Sequence, residues 1–227
     1  MNADEGGQAI ASVVDRSDSS TYVKLLAFGD SLTEGFFDGG RNFHPYSLQL
    51  EKCIDKHYSE RAVEKEAIIH QVGKSGEKTS EMIPRLQSIL ARSSDSPYDF
   101  VCILAGTNDL SLRDSGDDIF GRIRQLYDLV LDHGEETILV AITIPRSYYV
   151  TQVKRRSIVN QKIKDFCNDA NDRAGVTRAF MVDFENLLPY VQESDEKINV
   201  WDDHLHMTSL GYDELARIIF TAISPAL

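Results

Sequence analysis

Short apolar runs alternate with longer amphipathic segments along the chain from residue 21 onward. Five runs of six residues each are largely apolar and often β-branched, a pattern typical of strands that are buried on both faces of a sheet. They are Val23–Phe28, Ala67–Val72, Phe100–Ala105, Thr137–Ile142 and Ala179–Phe184. We therefore predict one strand for each run.

The segments between the runs repeat their apolar residues three and four positions apart, as one face of a helix does. The segment after the third run is an example, with Ile119, Ile123, Leu126 and Val130 on one face. Strands that alternate with helices indicate a parallel sheet, and right-handed crossovers place helices on both of its faces. The pattern predicts an α/β fold, a three-layer α/β/α sandwich that residues 21–227 form as one domain.

Residues 1–20 do not share this pattern. Their sequence, MNADEGGQAIASVVDRSDSS, has acidic residues where a signal peptide has basic ones, and its apolar run is too short for a leader. We interpret these residues as a mobile tail and expect a cytoplasmic protein. The sequence also has no apolar stretch near the ~20 residues that a membrane-spanning helix needs, so no stable membrane insertion is expected.

Composition narrows the function classes further. The chain of 227 residues carries 24 Lys and Arg against 36 Asp and Glu, a net charge of −12. This charge argues against a nucleic-acid binder, which needs a basic face to contact phosphates. The three cysteines, Cys53, Cys102 and Cys167, are odd in number and lack C-x-x-C spacing, so neither a disulfide framework nor a thiolate zinc site is expected.

Candidate chemistry is concentrated after the apolar runs, because the ligand site of an open α/β sheet lies beyond the carboxyl ends of its strands. Ser31 follows the first run and is a candidate nucleophile, although a lone Asp30 or Ser31 at such a turn more often caps a helix. Gly76 follows the second run and can present a backbone N–H to an anion. Asn108 follows the third and carries a neutral amide donor. Both are also ordinary turn residues.

The segment before the last amphipathic helix holds a carboxylate and an imidazole three residues apart. Asp203 can accept a hydrogen bond from Nδ1 of His206, which leaves Nε2 free to act as a base. The same segment also allows a metal site, in which His204 and His206 bind zinc together with Asp202 or Asp203. A single His near an Asp is more often structural, so this pair alone does not decide the function.

In combination, these positions supply a nucleophile, a base with its orienting carboxylate and two kinds of oxyanion donor, which are the parts that acyl transfer needs. They lie in four blocks along the chain: Gly29-Asp30-Ser31-Leu32, Ser75-Gly76-Glu77, Gly106-Thr107-Asn108-Asp109 and Asp203-His204-Leu205-His206. In these blocks and their order the chain resembles the SGNH hydrolases, also called the GDSL esterase/lipase family. The second block is the loosest match.

The resemblance implies a flavodoxin-like sheet of five parallel strands and a role for each block. It implies that Ser31 is the nucleophile and that His206 is the general base, oriented by Asp203. The oxyanion hole implied by the family consists of the backbone N–H groups of Ser31 and Gly76 and the side-chain amide of Asn108. No metal or cofactor is expected, and the expected partner is a small-molecule ester.

The resemblance leaves the substrate open within the carboxylic esters. A short-chain acyl, acetyl or lysophospholipid-type ester is expected, and the net negative charge favours a neutral one. Aromatic residues near the strand ends are candidates to line its pocket, although aromatic side chains are also often buried in a core. These candidates are Phe36, Phe37, Phe43, Tyr46, Tyr148 and Trp201.

Two other function classes stay open on the sequence. A metal-dependent hydrolase would use Asp203, His204 and His206 and recruit further ligands from positions such as His44 or His70. A non-catalytic small-molecule binding module would use the same fold without turnover. Acyl transfer to an alcohol other than water needs the same residues as hydrolysis, so the sequence does not separate these two reactions.

Overall fold

A computed structural model describes residues 21–147, 152–190 and 200–227 of the chain. The tail predicted for residues 1–20 lies outside the described residues, and both the tail and the domain boundary that follows it stay predictions. Within the three described ranges, no helix is both long and apolar enough to cross a bilayer.

A five-stranded parallel sheet forms the centre of the molecule. The strands along the chain are β1 (Tyr22–Gly29), β2 (Phe36–Phe37), β3 (Asn42–Phe43), β4 (Glu66–Gly73), β5 (Phe100–Leu104), β6 (Ile138–Ile142) and β7 (Ala179–Val182). Five of them pair in parallel in the order β4-β1-β5-β6-β7, while β2 and β3 form a separate antiparallel pair. The five predicted strands are confirmed, and each predicted end lies within two residues of the observed one.

Helices cover both faces of this sheet. They are α1 (Ser31–Glu34), α2 (Ser47–Glu60), α3 (Thr79–Arg92), α4 (Gly116–Leu131), α5 (Val153–Ala174), α6 (Phe184–Leu187) and α7 (Ser209–Ile223). Helices α3, α4 and α5 pack on one face, and α2 and α7 on the other. Along β1, Leu26 and Phe28 point into the first core, whereas Leu25 and Ala27 point into the second. The three-layer α/β/α sandwich is therefore confirmed.

The strand order creates a topological switch point at β1. The chain passes from β1 to β4 on one side and then to β5 on the other, so the loops after these strands diverge and leave a crevice at their carboxyl ends. Gly29, the last residue of β1, pairs with Gly73 of β4 and Leu104 of β5. A Cβ on Gly29 would lie 2.4 Å from the carbonyl oxygen of Leu104, so glycine permits the close packing of strands at the base of the crevice.

Candidate active site

The turn that follows β1 presents a serine hydroxyl at the edge of the sheet. Ser31 is the first residue of α1, and the side chain of Asp30 caps this helix by accepting a hydrogen bond from the backbone N–H of Leu32 at 3.0 Å. Helix α1 ends after one turn at Gly35, which adopts a left-handed conformation with φ of 80°. Ser31 is 6% exposed, so its hydroxyl lies at the crevice floor rather than in bulk solvent.

The imidazole of His206 contacts this serine from the loop that precedes α7. Ser31 Oγ lies 3.0 Å from His206 Nε2, and His206 Nδ1 lies 2.8 Å from Asp203 Oδ2. The first contact joins residues 175 positions apart in the chain. The structure therefore brings the three residues of the first and last motif blocks into one chain of hydrogen bonds, with the geometry of a nucleophile, a base and an orienting carboxylate.

Backbone hydrogen bonds hold the carboxylate of Asp203 in this arrangement. Its Oδ1 accepts from the N–H groups of Leu205 at 2.7 Å and His206 at 2.6 Å, which leaves Oδ2 for the imidazole. Burial by itself raises the pKa of Asp203, but the hydrogen bonds from His206 and Leu205 outweigh burial and lower the pKa below its ordinary value. The carboxylate is thus ionised at neutral pH, as the orienting group of an imidazole base must be.

The loops after β4 and β5 meet beside Ser31 and carry the candidate oxyanion donors. Gly76 has a φ of 76°, and no heavy atom lies within 4 Å of the position that its Cβ would occupy, so this side of the loop is open. The side-chain amide of Asn108 donates to the carbonyl of Glu77 at 3.0 Å and lies 3.5 Å from Asp30 Oδ2. The structure therefore joins the second and third motif blocks to the turn that contains Ser31.

Arg85 and Glu77 form an ion pair that holds these loops together, and sequence reasoning did not identify it. Arg85, on α3, donates from Nε to both carboxylate oxygens of Glu77, at 2.9 and 2.8 Å. The same guanidinium donates to the carbonyls of Val72 at 2.7 Å and Gly29 at 3.1 Å, so it ties the ends of β1 and β4 to the Gly76–Glu77 loop. The Glu77 side chain is only 2% exposed. An ion pair between two different elements leaves no periodic signal in the sequence.

Two further carboxylates of the motif blocks hold turns. Asp109 accepts from the backbone N–H of Thr79 at 3.0 Å and from Arg122 at 3.1 Å, which fixes the start of α3 against the loop after β5. Asp30 is fully buried, and this burial raises its pKa to about 7, with a further rise from the charge of Asp109 and an opposing contribution from the Leu32 N–H. Asp30 is therefore partly protonated near neutral pH.

Asp30→Asn is expected to change how stability depends on pH. The folded wild type holds a proton on Asp30 up to a pH of about 7, whereas an ordinary aspartate releases it near 3.8. Between these values the unfolded chain binds fewer protons than the folded one, so the free energy of unfolding falls as the pH rises.

The Asp30→Asn variant lacks this titration and keeps an acceptor for the backbone N–H of Leu32. Its stability relative to the wild type should therefore rise by roughly 3 kcal/mol from pH 5 to pH 8, measured by urea unfolding. An equal difference at both pH values would contradict a neutral Asp30.

The aromatic residues predicted to line a pocket fall into different environments. Phe36 lies against the imidazole of His206 with a ring-centroid distance of 4.5 Å, and Phe43 is 51% exposed beside it. Phe37 is half-buried and packs against the core that contains α2 and α7. Tyr148 lies outside the described residues.

Two of these aromatic residues belong to the core. Tyr46 has no exposed surface and packs in the core beneath α2 and α7, so it does not line an open pocket. Trp201 is also buried, stacked on Phe184 at 6.4 Å and in edge contact with Tyr190 at 5.4 Å. Both side chains lie in the core because helices α2 and α7 cover this face of the sheet.

Several of the donors proposed for a metal site are hydrogen-bonded to other partners. His44 Nε2 lies 2.8 Å from Asp213, and His70 Nδ1 lies 2.9 Å from the hydroxyl of Tyr98. Both ring nitrogens of His206 contact Ser31 and Asp203. Among residues 21–147, 152–190 and 200–227, no group of three or more His, Cys, Asp or Glu side chains is arranged to hold a metal ion.

Known proteins share both sequence features and architecture with this chain. A family model described as GDSL-like lipase/acylhydrolase matches residues 27–214, which include all four motif blocks. A comparison with curated protein sequences gives no match.

Solved structures resemble the fold over almost its full length. Est24, a carbohydrate acetylesterase from Sinorhizobium meliloti, has a TM-score of 0.67 at 16% identity, with 90% of this chain and 100% of that chain covered. The aryl esterase of M. smegmatis has a TM-score of 0.64 at 16% identity, with coverages of 90% and 100%. A family 3 carbohydrate esterase from Clostridium thermocellum has a TM-score of 0.63 at 19% identity, with coverages of 91% and 97%. At such identities the likeness is one of fold.

Proposed function

Because the chain belongs to the GDSL-like lipase/acylhydrolase family, we propose that it hydrolyses carboxylic esters through an acyl-enzyme formed on Ser31. The observation that carries this proposal is the hydrogen-bonded chain from Ser31 Oγ to His206 at 3.0 Å and on to Asp203 at 2.8 Å, located at the switch point of the sheet. A nucleophile, a base and an orienting carboxylate in hydrogen-bond contact are the parts that activate a serine.

The reaction follows from these contacts in two halves. Ser31 Oγ attacks the ester carbonyl carbon while its proton passes to His206 Nε2, and the Asp203 carboxylate stabilises the imidazolium that results. The tetrahedral intermediate then expels the alcohol, whose oxygen takes the proton from Nε2. In the second half, a water molecule gives a proton to the same nitrogen and attacks the acyl carbon. The bond between that carbon and Ser31 Oγ then breaks, and Oγ takes the proton back from Nε2, which releases the acid and restores Ser31.

Three donors are proposed for the oxyanion: the backbone N–H groups of Ser31 and Gly76 and the amide of Asn108. The amide group of Asn108 carries two hydrogens, of which one is held by the Glu77 carbonyl at 3.0 Å. The second hydrogen faces Asp30 Oδ2 at the long distance of 3.5 Å, and we propose that it turns from this contact to the developing charge. Because Arg85 fixes Glu77, the donor is preorganised before the substrate arrives.

Asn108→Ala is expected to lower kcat for p-nitrophenyl acetate by roughly 10²- to 10³-fold with little change in KM, because the lost donor acts mainly on the charged intermediate. Steady-state kinetics measure this split. Asn168→Ala is a matched control, since Asn168 is exposed on α5 and distant in the fold from the crevice. A kcat for Asn108→Ala within threefold of the wild type would contradict its role in the oxyanion hole.

For the substrate we propose esters of short acyl groups, acetates among them. The fold neighbours named as a carbohydrate acetylesterase and a carbohydrate esterase support this choice, as does the family's general acylhydrolase chemistry. A hydrolysis screen of p-nitrophenyl esters of increasing acyl length tests it. We expect kcat/KM to be highest for the acetyl or another short-chain ester, and a maximum at long acyl chains would contradict the proposal.

A further inference from the structure

The β2–β3 hairpin presents an aromatic surface that begins at the proposed base and extends to solvent. The Phe36 ring lies 4.5 Å from the imidazole of His206, tilted by 41°. Phe43 packs edge-on against Phe36 at 5.9 Å and is 51% exposed. Two phenyl rings thus continue the surface of the imidazole outward. A continuous aromatic surface beside the candidate active site, unlike an isolated exposed side chain, is consistent with a binding role.

Several contacts fix this aromatic surface relative to the His206 loop. The backbone N–H of Asp38 donates to the carboxylate of Asp202 at 2.7 Å, and the hydroxyl of Tyr212 donates to the carbonyl of Phe36 at 2.7 Å. The turn of the hairpin contains Gly40 with a φ of 82°, where a Cβ would lie 2.7 Å from Cε2 of Phe36. The hairpin is therefore shaped to keep the Phe36 ring in place, and the ring does not swing freely at the crevice edge.

The chemistry of the proposed base decides which part of an ester would meet this surface. The oxygen of the departing alcohol must come within hydrogen-bond distance of His206 Nε2 to receive its proton. The proposed oxyanion donors Gly76 and Asn108 lie in other loops, those after β4 and β5. The alcohol part of the ester therefore extends past the imidazole, along the side where Phe36 lies.

We propose that Phe36 and Phe43 bind the alcohol part of the substrate, so that the enzyme prefers esters of neutral, apolar or aromatic alcohols. This inference rests on the proposed function, because it assumes that His206 protonates the leaving alcohol. The carboxylate of Asp202 beside the hairpin disfavours an anionic alcohol group, whereas Asp38 is paired with Arg41 at 3.7 Å. This preference for particular alcohols comes from the β2–β3 hairpin. It requires no change in Ser31, His206 or the oxyanion donors.

The test compares 2-phenylethyl acetate with ethyl acetate, which share an acyl group and have alcohols of similar acidity. We expect the wild type to have a kcat/KM at least about fivefold higher for 2-phenylethyl acetate, because its ring packs on Phe36 and Phe43. Phe43→Ser should lower the ratio of kcat/KM for 2-phenylethyl acetate to kcat/KM for ethyl acetate by about three- to tenfold. A midpoint of thermal unfolding close to that of the wild type shows independently that the variant is folded.

Val176→Ser is the matched control, since Val176 is 63% exposed in the loop between α5 and β7 and is not part of the crevice. It should leave the preference of the wild type unchanged. Equal kcat/KM for the two acetates in the wild type, or an equal loss for both in Phe43→Ser, would overturn the inference while ester hydrolysis itself stands. A wild type that hydrolyses neither acetate would contradict the proposed function and this inference together.

Discussion

Replacing Ser31 by alanine is expected to lower kcat for p-nitrophenyl acetate by roughly 10⁴- to 10⁶-fold. The substitution removes Oγ, the atom that lies 3.0 Å from His206 Nε2 and that is proposed to bond to the acyl carbon. His206, Asp203 and the oxyanion donors all remain. Any residual rate would come from these donors acting on a water molecule.

The fold should survive this change, which makes the loss of activity informative. Alanine keeps the Cβ of Ser31, and the cap of α1 is supplied by Asp30 through the N–H of Leu32. We expect the midpoint of thermal unfolding to move by only a few degrees. A folded Ser31→Ala protein that keeps more than about a tenth of the wild-type rate would contradict the assignment of the nucleophile.

Asp203→Asn is expected to lower kcat by roughly 10³- to 10⁴-fold with the fold intact. An amide at this position can donate to Nδ1 of His206, which favours the tautomer that carries its proton on Nε2. Such an imidazole cannot accept the proton of Ser31. The amide also lacks the charge that stabilises the imidazolium.

A second carboxylate–imidazole pair provides the control for Asp203→Asn. Asp213 lies 2.8 Å from Nε2 of His44, as close as Asp203 is to His206, but no serine of the motif blocks contacts that imidazole. Asp213→Asn should keep kcat within about threefold of the wild type. Equal losses in the two variants would mean that removal of negative charge, rather than the orientation of His206, accounts for the effect.

The general fold and the positions of the site were predictable because both depend on short-range patterns. Each strand of the sheet coincides with an apolar run. Central strands are buried on both faces, as Val101 to Leu104 of β5 illustrate with no exposed surface, whereas the edge strand β4 is partly exposed. The motif residues follow those runs, and parallel strands bring their carboxyl ends to one edge. Ser31 and Asn108 were therefore expected at the same edge of the sheet, where the Asn108 amide lies 3.5 Å from the side chain of Asp30, the neighbour of Ser31.

The contacts that shape the site depend on packing between distant elements, which a single sequence does not reveal. The position of β1 between β4 and β5 creates the crevice, but strand order has no signature in the strands themselves. The pair of Arg85 and Glu77 spans two elements, and neither residue type indicates its partner. Tyr46 and Phe36 both follow the first strand, yet α2 and α7 bury one ring while the hairpin leaves the other beside His206.

The most direct test of the acyl-enzyme is peptide mass spectrometry on protein quenched with acid during turnover of p-nitrophenyl acetate. The nitrophenolate group leaves readily, so acylation should outpace deacylation and the intermediate should accumulate. We expect the mass of one acetyl group on Ser31 in the wild type and its absence from the corresponding peptide of Ser31→Ala. An acetyl group on a different residue, or turnover with no acetylated peptide, would contradict an acyl-enzyme on Ser31.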